Sequence, residues 1–135
     1  MIEFTVYGIP APQGSKSRDR FGNMFESSKA LKPWRTAVST TFLTLRGRRC
    51  FTGPLALSVV FYMPKGKSVK RSLPAVKPDL DKLTRAVMDA LKHAGAYLDD
   101  SQVCQIKATK VYSSGSNVGA RFRILEVKEL EMGDF

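Results

Sequence analysis

Apolar and polar residues alternate at the start of the chain. Ile2, Phe4 and Val6 lie between Glu3, Thr5 and Tyr7, which predicts a strand over 2–8. Pro10, Pro12, Gly14 and Gly22 then break any regular pattern, so 9–22 reads as a loop. Trp34, Val38, Phe42 and Leu45 recur at helical spacing, with Pro33 suited to a first turn and Gly47 to a stop, which predicts a helix over 33–46. Gly53-Pro54 opens a second strand at 55–63, where Leu55, Leu57, Val59 and Phe61 share a face. A second loop follows from Pro64 to Pro78.

Leu80, Leu83, Val87, Leu91 and Ala94 mark a second helix over 80–93, with Asp79 as a candidate N-cap and Gly95 as its stop. Strands are predicted over 103–112 and 120–128, joined by a turn at Gly115–Gly119. The order βαβαββ implies an α+β fold: one domain over 1–135, a mixed sheet with two helices packed on it, and an acidic tail at 126–135. A core of this size leaves apolar surface for a partner. The expected dimer contacts are an edge strand, 2–8 or 55–63, or the apolar side of the first helix near Trp34 and Phe42, with plain core the alternative for Trp34.

Charge narrows the function. The 135 residues carry 22 Lys and Arg against 12 Asp and Glu, a net charge of +10. No acidic residue occurs from Ser27 to Pro78, whereas Glu126, Glu129, Glu131 and Asp134 crowd the end. A field of one sign over that length attracts polyanions. Lys16, Arg18 and Arg20 in the first loop and Lys65, Lys67, Lys70, Arg71 and Lys77 in the second are the candidate DNA-backbone contacts. No basic amphipathic helix suggests a membrane surface. The longest uncharged stretch, 15 residues from Cys50 to Pro64, is too short to cross a bilayer. No signal peptide is visible, and a cytoplasmic location is expected. Two cysteines, Cys50 and Cys104, and one histidine, His93, exclude a disulfide scaffold and a four-ligand Cys/His zinc site. His93 reads as a structural residue at a helix end.

The few acids are grouped. Asp79 and Asp81 open the second helix, and Asp99 and Asp100 follow it. Such carboxylates suit a hard cation such as Mg²⁺ meeting a phosphodiester. Ordinary structural roles are also open to them: a cap, a favourable dipole contact and a turn. If 94–100 were extended, it would span roughly 23 Å, enough to return along a helix roughly 20 Å long and set Asp100 beside Asp79.

Lys77-Pro78-Asp79-Leu80-Asp81-Lys82-Leu83-Thr84-Arg85-Ala86-Val87-Met88-Asp89-Ala90-Leu91, followed by Leu98-Asp99-Asp100-Ser101-Gln102-Val103, resembles the RusA family of Holliday junction resolvases, typically phage or prophage enzymes. Gly8-Ile9-Pro10-Ala11-Pro12 and the basic residues after it resemble the opening of phage members. The resemblance implies homodimeric, Mg²⁺-dependent cleavage of four-way DNA junctions, with Asp79, Asp81 and Asp100 as metal ligands. Arg85 stands where the family commonly has a catalytic Lys, and Lys82 where many members have Asn. Arg85 keeps the charge but does not release a proton. An ion pair with Asp81 or Asp89 is the plain alternative for it. A catalytically silent binder of branched DNA is the competing reading. An RNA-binding module is disfavoured by the lack of a Gly-Phe/Tyr aromatic box on a strand.

Overall fold

The computed structural model of the chain describes residues 1–14, 16–18, 20–22, 24–26 and 29–127, with backbone alone for 16–18 and 24–26. Strand β1 (Ile2–Tyr7) is followed by a short hairpin, β2 (Lys16–Arg18) and β3 (Met24–Glu26). Helix α1 (Leu31–Thr44), strand β4 (Leu55–Met63), helix α2 (Leu80–His93) and strands β5 (Val103–Tyr112) and β6 (Gly119–Glu126) complete the order. Strand β2 lies in the segment read as loop, 9–22, and β3 in residues without a predicted element. Strands of three residues are too short to show alternation, so periodicity cannot detect them.

The main sheet runs β1-β6-β4-β5. Neighbours are antiparallel except β4 and β5, which are parallel. A parallel pair needs a crossover, and α2 is part of it. Strand β4 is therefore central, which corrects the expectation that 55–63 is an edge. The physical sign is burial on both faces: Leu57, Val59 and Phe61 are buried, and so are Ala56 and Ser58 between them. The edges are β1 and β5.

One face of the sheet carries both helices. Trp34, Val38 and Phe42 of α1 and Leu83, Val87 and Leu91 of α2 join Phe4, Val59, Phe61 and Phe122 in one core. Phe4 stacks on Phe122 with centroids 4.9 Å apart and meets Phe42 edge-on at 6.0 Å. Trp34 and Phe42, expected as a possible dimer surface, are 2% and 1% exposed and belong to this core. Helix α1 starts two residues before its predicted span, with Pro33 still in its first turn, and Leu45 is already extended. The open face of the sheet bears no helix among the described residues. Cys50 and Cys104 are free and exposed. Among the described residues no helix is long and apolar enough to cross a membrane. Most of the acidic tail, from 128 onward, lies outside the described residues.

Candidate functional site

The chain enters α2 through an extended Asp79 (φ −70°, ψ 141°). The Asp79 carbonyl accepts from Leu83 N at 3.1 Å, but its carboxylate caps nothing. It lies 3.4 Å from Lys82 Nζ instead. Asp81 stands in the first turn, where the helix dipole favours a carboxylate. It is exposed and, among the described residues, has no hydrogen bond or ion pair.

Beyond Asp81, α2 and β5 enclose an open cleft of about 520 Å³. Leu80, Met88, Ile106 and Ala108 supply apolar walls, and Asp81, Arg85 and Asp100 supply charge. Arg85 takes neither of its expected ion-pair partners. Asp89 is paired with Arg35 across the helix–helix contact. The N-terminal loop seats beside Arg85: Gln13 N donates to Lys82 O at 3.0 Å. A Cβ on Gly14 would stand 3.1 Å from Arg85 Nη1, so the loop approaches the guanidinium as closely as a glycine allows.

The two aspartates after α2 have different tasks. Asp99 caps a single 3-10 turn at Asp100–Gln102. Its carboxylate accepts from Ser101 N at 3.2 Å and from Ser101 Oγ. Gln102 Oε1 accepts from Leu98 N and Asp99 N at 2.8 and 3.0 Å, closing a capping box. Gln102 Nε2 donates to Phe51 O and Gly53 O at 3.0 Å each, anchoring the turn ahead of β4. The Ser101 hydrogen bonds, with Lys92 assisting at 3.5 Å, hold the Asp99 carboxyl below the usual carboxylate range. Asp100 faces the cleft. Tyr97 Oη donates to Met88 O at 2.6 Å and lies 3.3 Å from Asp100 Oδ1. Burial first, and then the Asp100 charge, raise the phenol well above the ordinary tyrosine range, so it stays a proton donor.

Tyr97 thus brings Asp100 to α2 beside Met88. Residues 94–100 are not extended throughout. Gly95 turns at φ 83° and Ala96 N returns to Leu91 O at 2.9 Å, which uses up the length. Among the described residues no three His, Cys, Asp or Glu side chains stand close enough together to hold an ion. The donor chemistry nevertheless fits Mg²⁺, which keeps several waters and takes one or two carboxylates together with substrate phosphate. Asp81 and Asp100 offer two such carboxylates to one cleft, and Asp79 precedes its wall residue Leu80.

Two positioning residues escaped the sequence reading. Lys110 Nζ donates to Val76 O at 2.7 Å and Pro78 O at 2.8 Å, fixing the lead-in to Asp79 from strand β5. Tyr97 ties Asp100 to α2. Neither makes a local motif, because each partner is brought in by the fold.

Of the basic candidates, Lys16 and Arg18 lie in β2, and their side chains fall outside the described residues. Arg20 stands over the Phe21 ring at 4.9 Å. Arg71 Nη1 donates to Tyr112 Oη at 2.7 Å, and Lys65 Nζ lies 5.4 Å from that ring's centroid. Lys67, Lys70 and Lys77 are exposed. The basic loop is therefore pinned at the end of β5 and runs directly into Asp79. His93 is exposed in the last turn of α2, complementing its dipole.

The family model described as Endodeoxyribonuclease RusA matches residues 8–121. That span contains the N-terminal loop, α2 and the Asp99–Asp100 turn. A protein of Bacillus subtilis (strain 168), "Uncharacterized protein YqaN", is 34% identical over 137 residues, covering 90% of this chain and 95% of its own.

Proposed function

The chain belongs to the RusA endodeoxyribonuclease family, and on that premise we propose that it resolves four-way DNA junctions by Mg²⁺-dependent phosphodiester hydrolysis. The observation that carries the reading is the shared cleft of Asp81, Arg85 and Asp100, in which Asp81 has no protein partner among the described residues. In a chain of net charge +10, an unpaired Asp81 carboxylate in one cleft with Asp100 and an arginine suits a cation and a phosphate together.

Asp79, Asp81 and Asp100 would hold the Mg²⁺. When bound, the ion polarises phosphate oxygen and lowers the pKa of water, leaving 5′-phosphate and 3′-hydroxyl ends. Arg85 supplies a planar pair of donors to a phosphate and keeps its charge throughout. It stabilises charge and transfers no proton. Lys82, already beside Asp79, is the second cation within reach. Tyr97 orients Asp100, and Lys110 orients the segment that delivers Asp79. The basic loop engages the backbone, so junction shape carries most of the selectivity.

Two strands must be cut to separate the arms, and one chain carries one cleft. A two-fold homodimer presents two clefts related as the junction's strands are. Light scattering then gives roughly twice the 15.0 kDa chain mass.

The competing reading is a silent binder of branched DNA. It draws on the Asp79–Lys82 contact and on the lack, among the described residues, of three ligating side chains close enough together to hold an ion. A synthetic four-way junction, a matched duplex and a flap, each with and without Mg²⁺, decide between them. Paired nicks in the junction, only with Mg²⁺, support the nuclease. Tight junction binding without nicks at any Mg²⁺ concentration overturns it.

A further inference from the structure

The face of the sheet opposite the cleft carries a second aromatic feature. Tyr7 on β1 and Tyr62 on β4 are each aligned with Gly119 on β6 between them. All three side-chain positions belong to the open face, because Val6, Ala120 and Phe61 alternate into the core. Tyr7 is 69% exposed. Strands two places apart are separated by roughly 9–10 Å, and Gly119 sets no side chain in the gap between the tyrosines. Gly119 is confined to glycine: a Cβ there would fall 2.0 Å from Val6 O.

The gap opens into a cavity of about 200 Å³, to which Thr5, Ser113, Ser114 and Asn117 contribute polar groups. It is smaller than the roughly 300 Å³ at which drug-sized pockets begin, the scale of one ring system. Ser113 is 8% exposed, and its Oγ is buried without a partner among the described residues. A buried hydroxyl left unpaired is costly unless a ligand or water completes it. The next rows of the same face bring Arg121, Arg123 and Lys107 alongside. Arg121 and Arg123 both lean on Glu3, at 3.3 and 3.2 Å, and Lys107 is exposed, so positive charge remains in excess around the slot.

We propose that the Tyr7–Gly119–Tyr62 slot binds an unpaired base of single-stranded DNA, with Arg121 and Lys107 holding the flanking phosphates. Aromatic rings on a sheet face beside cations are the general means of holding a single strand, since every base has a π face. Ser113 then supplies a polar contact to the edge of the base. The slot is separate from the Asp81–Asp100 cleft, with the sheet between them. It gives the chain a place for a displaced or unpaired strand while the cleft faces a duplex arm.

The test uses the full chain without Mg²⁺ and a single strand of roughly 12 nucleotides, a length such surfaces cover. One central base is 2-aminopurine, whose emission falls on stacking. A matched duplex is the control. Quenching and binding with the wild type and with Tyr7→Phe are expected. Tyr7→Ala, which removes an exposed ring and no core, should weaken strand binding about fivefold or more, abolish quenching and leave duplex binding unchanged. Tyr62→Ala should do the same. Unchanged strand affinity and quenching in both alanine variants overturn the proposal, as does equal weakening for strand and duplex. The measurement needs neither metal nor cleavage, so it stands or falls independently of the nuclease reading.

Discussion

Tyr97 Oη lies 3.3 Å from Asp100 Oδ1 while it donates to the Met88 carbonyl at 2.6 Å. One phenol thus couples the aspartate of the cleft to the middle of α2. The ring is 2% exposed, so Tyr97→Phe keeps its packing and removes only the hydroxyl. Loss of one buried hydrogen bond costs about 0.5–1.5 kcal/mol of stability. The sharper expectation is kinetic. Turnover on the junction should drop several-fold with little change in KM, because the phenol orients Asp100 and contacts no DNA. A change confined to KM would show that Tyr97 acts in binding.

The same phenol sets an alkaline limit. Burial raises its folded pKa, so the folded state keeps the proton that the unfolded chain releases near pH 10. Its contribution to stability is complete below that pH and is lost as pH rises through and beyond it. Thermal unfolding followed from pH 8 to 11 should show a steeper fall in Tm for the wild type than for Tyr97→Phe. Parallel curves would mean that the phenol is solvated in the folded chain.

Asp99 and Asp100 are adjacent and should separate cleanly. Asp100→Asn and Asp81→Asn are expected to abolish cleavage, leave Tm nearly unchanged, and keep or strengthen junction binding, since a carboxylate that repels phosphate is gone. Asp99→Ala breaks the capping box and should lower Tm while cleavage persists. The Asp99 contribution is present at neutral pH. It is lost as pH falls below the unfolded carboxylate value and through the depressed folded one, so the Asp99→Ala effect on Tm should shrink in acid. Cleavage lost in Asp99→Ala and retained in Asp100→Asn would reverse these roles.

Helix α2 was legible because its apolar positions recur without interruption, and β4 because its leucines and valines alternate. The place of β4 in the sheet was not. Whether a strand is central depends on partners that lie at 103–112 and 119–126 in the sequence. The grouping of Asp79 and Asp81 was visible, but the distance to Asp100 turned on how Gly95 and Ala96 close the helix. An extended estimate of 94–100 ignored those bonds. The tyrosine slot escaped for the same reason as Lys110. Tyr7 and Tyr62 are 55 positions apart in the sequence and become neighbours only across β6.

Lys110 offers a direct test of how Asp79 is held. Its ammonium donates to the carbonyls of Val76 and Pro78, so Lys110→Met leaves both without that donor and frees the lead-in to α2. Cleavage should fall about tenfold, amide exchange at 79–82 should quicken, and Lys110→Arg should recover part of the rate. Full activity in Lys110→Met would show that the lead-in is fixed by its own turns. Equal loss in the Met and Arg variants, with unchanged exchange, would point to a direct contact with DNA.

Junction affinity should be governed by salt, and the basic loop supplies a graded way to measure it. Each phosphate neutralised contributes a slope of about −0.9 in log affinity against log salt for B-form arms. Lys67, Lys70 and Lys77 are exposed, so exchanging them for Gln removes charge without disturbing the core. Each single change should flatten the slope by about 0.9, and all three together by about 2.7, if each reaches a phosphate. Arg71 differs, because its guanidinium also donates to Tyr112 Oη at 2.7 Å and helps seat the loop. Arg71→Lys preserves charge and loses that fork, so its slope should stay near the wild type while affinity falls through a looser loop. Measured without Mg²⁺ to prevent cleavage, a triple variant with an unaltered slope would exclude this loop from the DNA contact. An Arg71→Lys variant that binds as tightly as the wild type would show that the Tyr112 contact is incidental.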